Sequence, residues 1–161
     1  MRVLVLGIGN VLLSDEGVGP YVTGLLERDY SLPDNVTVLD GGTSGMNLLD
    51  DIAAADRVVI IDCARLDEGP GTVREIVGEG VPAFFQTRIS PHQIGLSDLM
   101  AACALMEVMP REMALIAVAP ESMELGLELT ETGQRAAADA LRMLVDRLGA
   151  WGAAPVAREA A

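Results

Sequence analysis

Cysteine is scarce in this sequence: Cys63 and Cys103 are the only two, too few and too far apart for a disulfide framework or a Cys-x-x-Cys metal knuckle. They read as two buried free thiols, the cysteine usage of a reducing cytoplasm. Lysine is absent, the 11 basic residues all being arginine, and these face 24 acidic residues for a formal net charge of -13. A chain of that sign repels phosphate backbones and anionic surfaces, so no nucleic acid is expected as a partner. The same field favours cations, either a divalent metal or a basic segment of a partner, and a plain solvating surface would explain it equally well. No apolar run reaches the ~18–20 residues of a membrane span, so no membrane insertion is expected. The apolar start 3–13 imitates a signal peptide, but it lacks a small-residue cleavage site and runs straight into Ser14-Asp15-Glu16. It reads as a strand. No repeat and no interdomain linker interrupts the 161 residues, and with 50% of them hydrophobic the chain has enough apolar surface for one core.

What is present is an alternation of short apolar runs with helical periods. The run 3–6 is continuous in Val and Leu, the pattern of a strand buried on both faces; 36–39 reads as a second strand and 57–61 as a third, buried one. Between the first two, Val18, Tyr21, Val22, Leu25 and Leu26 recur at helical spacing, and Leu48, Leu49 and Ile52 mark a shorter helix before the third. Such βαβαβ spacing predicts a three-layer α/β/α sandwich around a mostly parallel, twisted sheet of about five strands. The run 72–77 suits an edge strand, and the turn signals 67–71 predict an antiparallel hairpin with the third strand. A loop with Pro82 and Pro91 leads to a helix covering 99–109. Its start is open: Ser90-Pro91-His92-Gln93 has the form of a capping box, whereas Ser97-Asp98 would cap a later start. The last core strand is 114–118. From about Thr130 an apolar stripe of Ala136, Ala137, Ala140, Leu141, Leu144 and Leu148 opposes Arg135, Asp139, Arg142 and Asp146, an amphipathic helix. The reading is one α/β domain over 1–149 and a disordered tail over 150–161.

Ligands of open parallel sheets bind beyond the carboxyl ends of the strands. That rule selects Asp15 and Glu16 after the first strand, Asp40 and its glycine loop after the second, and Asp62 after the third. His92, the only histidine, lies in the loop entering the later helix. Gly7-Ile8-Gly9-Asn10-Val11-Leu12 begins like a dinucleotide fingerprint, but Leu12 replaces the third glycine and two carboxylates stand where a pyrophosphate belongs, so no nucleotide cofactor is expected. Asp15 and Glu16 taken alone are ordinary helix-start acids. His92 at a helix N-terminus stays neutral and available to a metal. A nucleophilic Cys63 is not expected, because acidic surroundings raise a thiol's pKa. Two carboxylates and one imidazole suit zinc, nickel or a similar ion that polarises a carbonyl or activates water.

The motif Gly7-x-Gly9-Asn10-x-Leu12-x-x-Asp15-Glu16-Gly17-x-Gly19, then Asp40-Gly41-Gly42-Thr43, the strand ending at Asp62, and His92-Gln93-Ile94-Gly95 resemble, in order and spacing, the maturation endopeptidases of nickel-iron hydrogenases. The resemblance covers about residues 1–148. It implies a cytoplasmic peptidase that removes a C-terminal extension from the hydrogenase large-subunit precursor once nickel is inserted. It also implies that Glu16, Asp62 and His92 bind the nickel supplied by that substrate, with Asp40 and its loop holding the peptide near the scissile bond. Two alternatives stay open at this point: a non-proteolytic nickel-sensing module, and a self-sufficient zinc peptidase.

Overall fold

The computed structural model of the chain describes residues 1–86 and 91–159, the side chains of 91, 92 and 94 excepted. Five strands, β1 (Val3–Ile8), β3 (Val36–Gly42), β4 (Arg57–Cys63), β5 (Val73–Val77) and β6 (Glu112–Val118), form one sheet in the order β3-β1-β4-β6-β5. β1, β3, β4 and β6 run parallel, and β5 is antiparallel at the edge. The helices are α1 (Val18–Asp29), α2 (Leu49–Ala53), α3 (Gly80–Gln86), α4 (Pro91–Leu105) and α5 (Glu131–Ala150). This is the expected α/β sandwich.

The alternation of side chains along β1 builds both cores. Val3 and Val5 pack with Val22 and Leu26 of α1 and Leu144 of α5, while Leu4, Leu6 and Ile8 pack with Ile52, Phe85, Leu96 and Leu99 on the other face. With a helix layer on each side, a parallel strand has no solvent face, which is why its sequence is a continuous apolar run. Thr130 caps α5, its hydroxyl accepting from the Gly133 N–H at 3.0 Å. Among the described residues no helix is long and apolar enough to cross a membrane.

Three expectations are corrected. β5 pairs with β6, not with the third strand: β4 is already occupied on both edges by β1 and β6, leaving it no free ladder. The turn instead crosses the end of β6, where Gly71 N–H donates to Ala119 O and Ala119 N–H to Thr72 O, both at 2.9 Å. The loop holding Pro82 contains α3, whose Val81, Phe84 and Phe85 are buried at helical spacing, with the proline in the first turn where its missing N–H does no harm. Of the tail 150–161, expected to be disordered, residues 150–159 are described and are docked. Trp151 is 6% exposed, its carbonyl accepts from Arg57 at 2.9 Å, and its ring lies under the guanidinium groups of Arg57 and Arg147. Beyond it, β7 (Val156–Ala157) pairs antiparallel with β2 (Tyr30–Ser31). The later helix takes the earlier of its two possible starts, with Pro91 at its first position.

Candidate active site

The order β3-β1-β4 means that the first crossover leaves β1 toward one neighbour and the second returns to the other, so strand order reverses between β1 and β4. Loops diverge there and open a crevice at the carboxyl edge. Gly7 of β1 aligns with Asp40 on β3 and with Ile61 on β4, so Asp40 and Asp62 leave the sheet at one edge on either side of β1. At about 4.8 Å per strand these flanking positions lie about 10 Å apart. Asp40 therefore stands beside the crevice and is not a direct partner of Asp62. It is exposed, and its Oδ1 accepts from the Gly42 N–H at 2.9 Å, closing a turn within its own loop.

Glu16 reaches the same edge through a tight fold-back. β1 ends at Ile8, and a single turn of 3-10 helix, Ser14–Gly17, precedes α1 and touches β4. Gly9 makes the fold-back possible: its φ is 147°, and a Cβ there would overlap the Glu16 carbonyl oxygen. Glu16 is half-buried.

Asp15, beside it, is not the plain helix-start acid that its sequence position suggests. It is 1% exposed, and its carboxylate reaches across the molecule. Oδ1 accepts from the Thr130 N–H at 2.8 Å, and Oδ2 accepts from the Thr130 hydroxyl at 2.7 Å and the N–H groups of Glu121 at 2.9 Å and Ser122 at 3.3 Å. One carboxylate thus ties the turn bearing Glu16 to the start of α5 and to the loop after β6. Ser14 reinforces the tie, its hydroxyl donating to Glu124 O at 2.6 Å. Asp15 is structural, and Glu16 is the member of the pair left at the crevice.

Asp62 is 1% exposed at the end of β4. The Cys63 thiol registers the gathering of acids around it. Burial first, and then the charges of Asp62, Glu16 and Asp15, push it far above its ordinary value of 9.0, against a weaker pull from Arg65. A thiol so held is protonated and inert, as its acidic surroundings predict. The turn bearing Glu16 touches β4, so Glu16 and Asp62 stand at the same end of that strand.

His92 occupies the first turn of α4, and its side chain lies outside the described residues. The helix that carries it is fastened to the site at two points. Gln93, 6% exposed, donates from Nε2 to Cys63 O at 3.1 Å and approaches Asp62 Oδ2 at 3.5 Å. Gly95 lies against Gly45 of the loop after β3, where a Cβ on Gly45 would sit 3.2 Å from the Gly95 Cα. Sequence reasoning singled out Glu16, Asp62 and Asp40, which the structure places at one sheet edge, and His92, expected in a loop but lying in the first turn of α4. It missed the tie made by Asp15 and the contact of Gln93, for which the only signal was a place in the capping-box pattern. Among the described residues no three His, Cys, Asp or Glu side chains converge as a metal site.

Known proteins share this fold. Residues 20–147 match the family model HycI, hydrogenase maturation protease. The chain is 42% identical to the hydrogenase 2 maturation protease of Escherichia coli (strain K12), over 99% of this chain and 98% of that one. It is 37% identical to the hydrogenase expression/formation protein HoxM of Azotobacter vinelandii, over 98% and 77% of the two chains. Among solved structures, the hydrogenase maturating endopeptidase HybD from E. coli superposes with a TM-score of 0.95 at 42% identity, covering 98% of each chain. The [NiFe] hydrogenase maturation protease HybD from Thermococcus kodakarensis does so with a TM-score of 0.76 at 30% identity, covering 92% of this chain and 99% of that one. Family model, relatives and superposed structures agree in sequence and in the sandwich itself: the chain is a peptidase and belongs to the hydrogenase maturation protease family.

Proposed function

We propose that this peptidase removes the C-terminal extension of the nickel-loaded large-subunit precursor of a nickel-iron hydrogenase, and that Glu16, Asp62 and His92 recognise the nickel carried by that substrate. The observation that carries this reading is the position of Glu16 and Asp62 at the strand-order reversal: the turn bearing Glu16 touches β4, which carries Asp62 at its end, and the helix bearing His92 is tied to the same strand end through Gln93. Two carboxylate oxygens and an imidazole nitrogen suit a divalent ion of intermediate softness such as nickel. A metal held by the substrate needs only open positions completed by the enzyme, which favours a shallow, incomplete ligand set over a closed cage.

In this reading a precursor without nickel lacks the ion that docks it, so cleavage waits for metal insertion. Held there, the metal would supply polarisation of the scissile carbonyl or of a water, and a carboxylate at the crevice, Glu16 or Asp62, would accept the proton as water attacks. Asp40, about 10 Å away across β1 and exposed on its own turn, holds the peptide on the approach to the scissile bond. Two buried free cysteines suit a cytoplasmic site of action.

Residue replacement tests the assignment. Glu16→Gln, Asp62→Asn and His92→Ala should each abolish truncation of the nickel-loaded precursor, followed by mass spectrometry, while circular dichroism stays that of the parent protein. Full activity in any one of them removes that residue from the site.

A further inference from the structure

We infer that Gln93 is a positioning residue for the reaction, holding the Asp62 carboxylate in the orientation in which it meets the substrate's metal; this rests on the assignment of Asp62 to that metal. Gln93 follows His92 in the first turn of α4, yet its side chain does not serve that helix. A glutamine acting as a cap would bond the free N–H groups of its own turn. This one, nine-tenths buried, turns into the sheet edge and meets the end of β4. Its two contacts there, Cys63 O at 3.1 Å and Asp62 Oδ2 at 3.5 Å, are both to acceptors. The amide must therefore present its NH2 group, whose two hydrogens match the two oxygens. The shorter bond anchors the amide on a backbone atom that cannot rotate, and the longer contact then lies against one oxygen of the carboxylate.

The residue type fits the task. Asp62 is 1% exposed, so water does little to orient it, and groups that ligate metals lose 10–100-fold in affinity or activity when their outer partners are removed. A lysine or arginine at position 93 would form an ion pair that competes with the metal. A glutamate would add a third carboxylate beside Asp62 and Glu16 and supply no donor. A neutral amide restrains the carboxylate and leaves its charge for the ligand.

The test uses Gln93→Met, which keeps length and apolar bulk but removes both donors, and Gln93→Glu, which keeps shape and removes the NH2 group. Two readouts are taken on the full chain: kcat/KM for truncation of nickel-loaded precursor, and Ni2+ affinity by isothermal titration. Gln93→Met should lose 10–100-fold in kcat/KM and in Ni2+ affinity, as removal of an outer partner does, whereas Gln93→Glu, whose added carboxylate attracts the cation, should lose 10–100-fold in kcat/KM and keep Ni2+ binding. Because Gln93 acts through Asp62, adding Gln93→Met to Asp62→Asn should leave the Ni2+ affinity of Asp62→Asn unchanged. The inference is overturned if either folded variant binds Ni2+ and cleaves within threefold of the parent, or if the losses of Gln93→Met and Asp62→Asn simply add. Should one variant fail to fold, the other decides. Asp62→Asn alone reports on the underlying assignment: normal Ni2+ binding and cleavage by that variant would sink the site itself, whatever Gln93 does.

Discussion

The carboxylate of Asp15 fills the space that a side chain on Gly133 would occupy. A Cβ on Gly133 would overlap Asp15 Oδ1, while the same carboxylate takes the Thr130 N–H and hydroxyl at the start of α5. The bare glycine in the first turn of α5 and the buried acid beside Glu16 are one device, joining positions more than a hundred residues apart.

The joint predicts a coupling. Asp15→Ala should destabilise the fold by about 2–4 kcal/mol, since hydrogen bonds to a charged group contribute ~1.5–3 kcal/mol and several are lost together. Gly133→Ala should lose a similar amount by displacing the carboxylate. The double variant should fall well short of the sum, because its alanine meets no carboxylate. Urea unfolding checks this, and strict additivity would contradict the joint.

Cys63 should be dispensable for chemistry. Its thiol is held protonated by burial and by the neighbouring acids, so native protein should resist iodoacetamide at pH 8 and Cys63→Ala should cleave precursor within about threefold of the parent. The same shift predicts a pH effect. A thiol whose folded pKa is raised leaves stability intact below the unfolded value and lets it fall above about pH 9, where only the unfolded chain releases the proton, at up to about 1.4 kcal/mol per pH unit. Cys103, raised by burial, adds in the same direction. Cys63→Ala should flatten this decline relative to the parent, and an unchanged slope would contradict the shift.

Gly45 and Gly95 should respond unequally to alanine. The Cβ of Gly45→Ala would stand 3.2–3.3 Å from backbone atoms of Gly95, which must move, whereas the Cβ of Gly95→Ala has its nearest neighbour at an ordinary 3.6 Å. Small misplacements of catalytic elements carry large rate penalties, about a hundredfold for 1 Å. Precursor cleavage should fall several-fold in Gly45→Ala and stay near the parent rate in Gly95→Ala. Equal effects would show that the contact does not hold the Asp40 loop against α4.

The architecture was legible where burial leaves a continuous trace. The runs at 3–6, 58–61 and 114–118 are apolar because helices cover both faces of a parallel sheet, whereas β3 at the sheet edge is only half-buried and carries an exposed Thr37. The short run of β5 marks an edge strand, half-buried with Val73 and Ile76 on opposite faces, but does not tell which strand is adjacent, so its pairing with β6 was hidden until both edges of β4 were seen to be taken. Trp151, one aromatic in an otherwise patternless tail, gave no period to read, and its partner Arg57 lies 94 residues away. In the site, Glu16 and Asp62 announced themselves as acids at strand ends. The partners of Asp15 and Gln93 are distant in sequence, at separations of 106 to 115 and of 30 to 31 residues, so neither spacing nor motif grammar exposes them.

The docked tail is itself testable. Removing the Trp151 ring from between Arg57, Arg147 and the core should destabilise Trp151→Ala by about 3–5 kcal/mol, the usual range for a buried aromatic truncated to alanine. Thermal or urea unfolding checks it, and a loss under about 1 kcal/mol would mean that the tail packs without contributing.

The most direct measurement incubates the purified protein with nickel-loaded and with nickel-free large-subunit precursor and follows the C-terminal truncation of each by mass. Recognition of the substrate's nickel by Glu16, Asp62 and His92 predicts truncation of the loaded form and none of the nickel-free form. Equal truncation of both would contradict it.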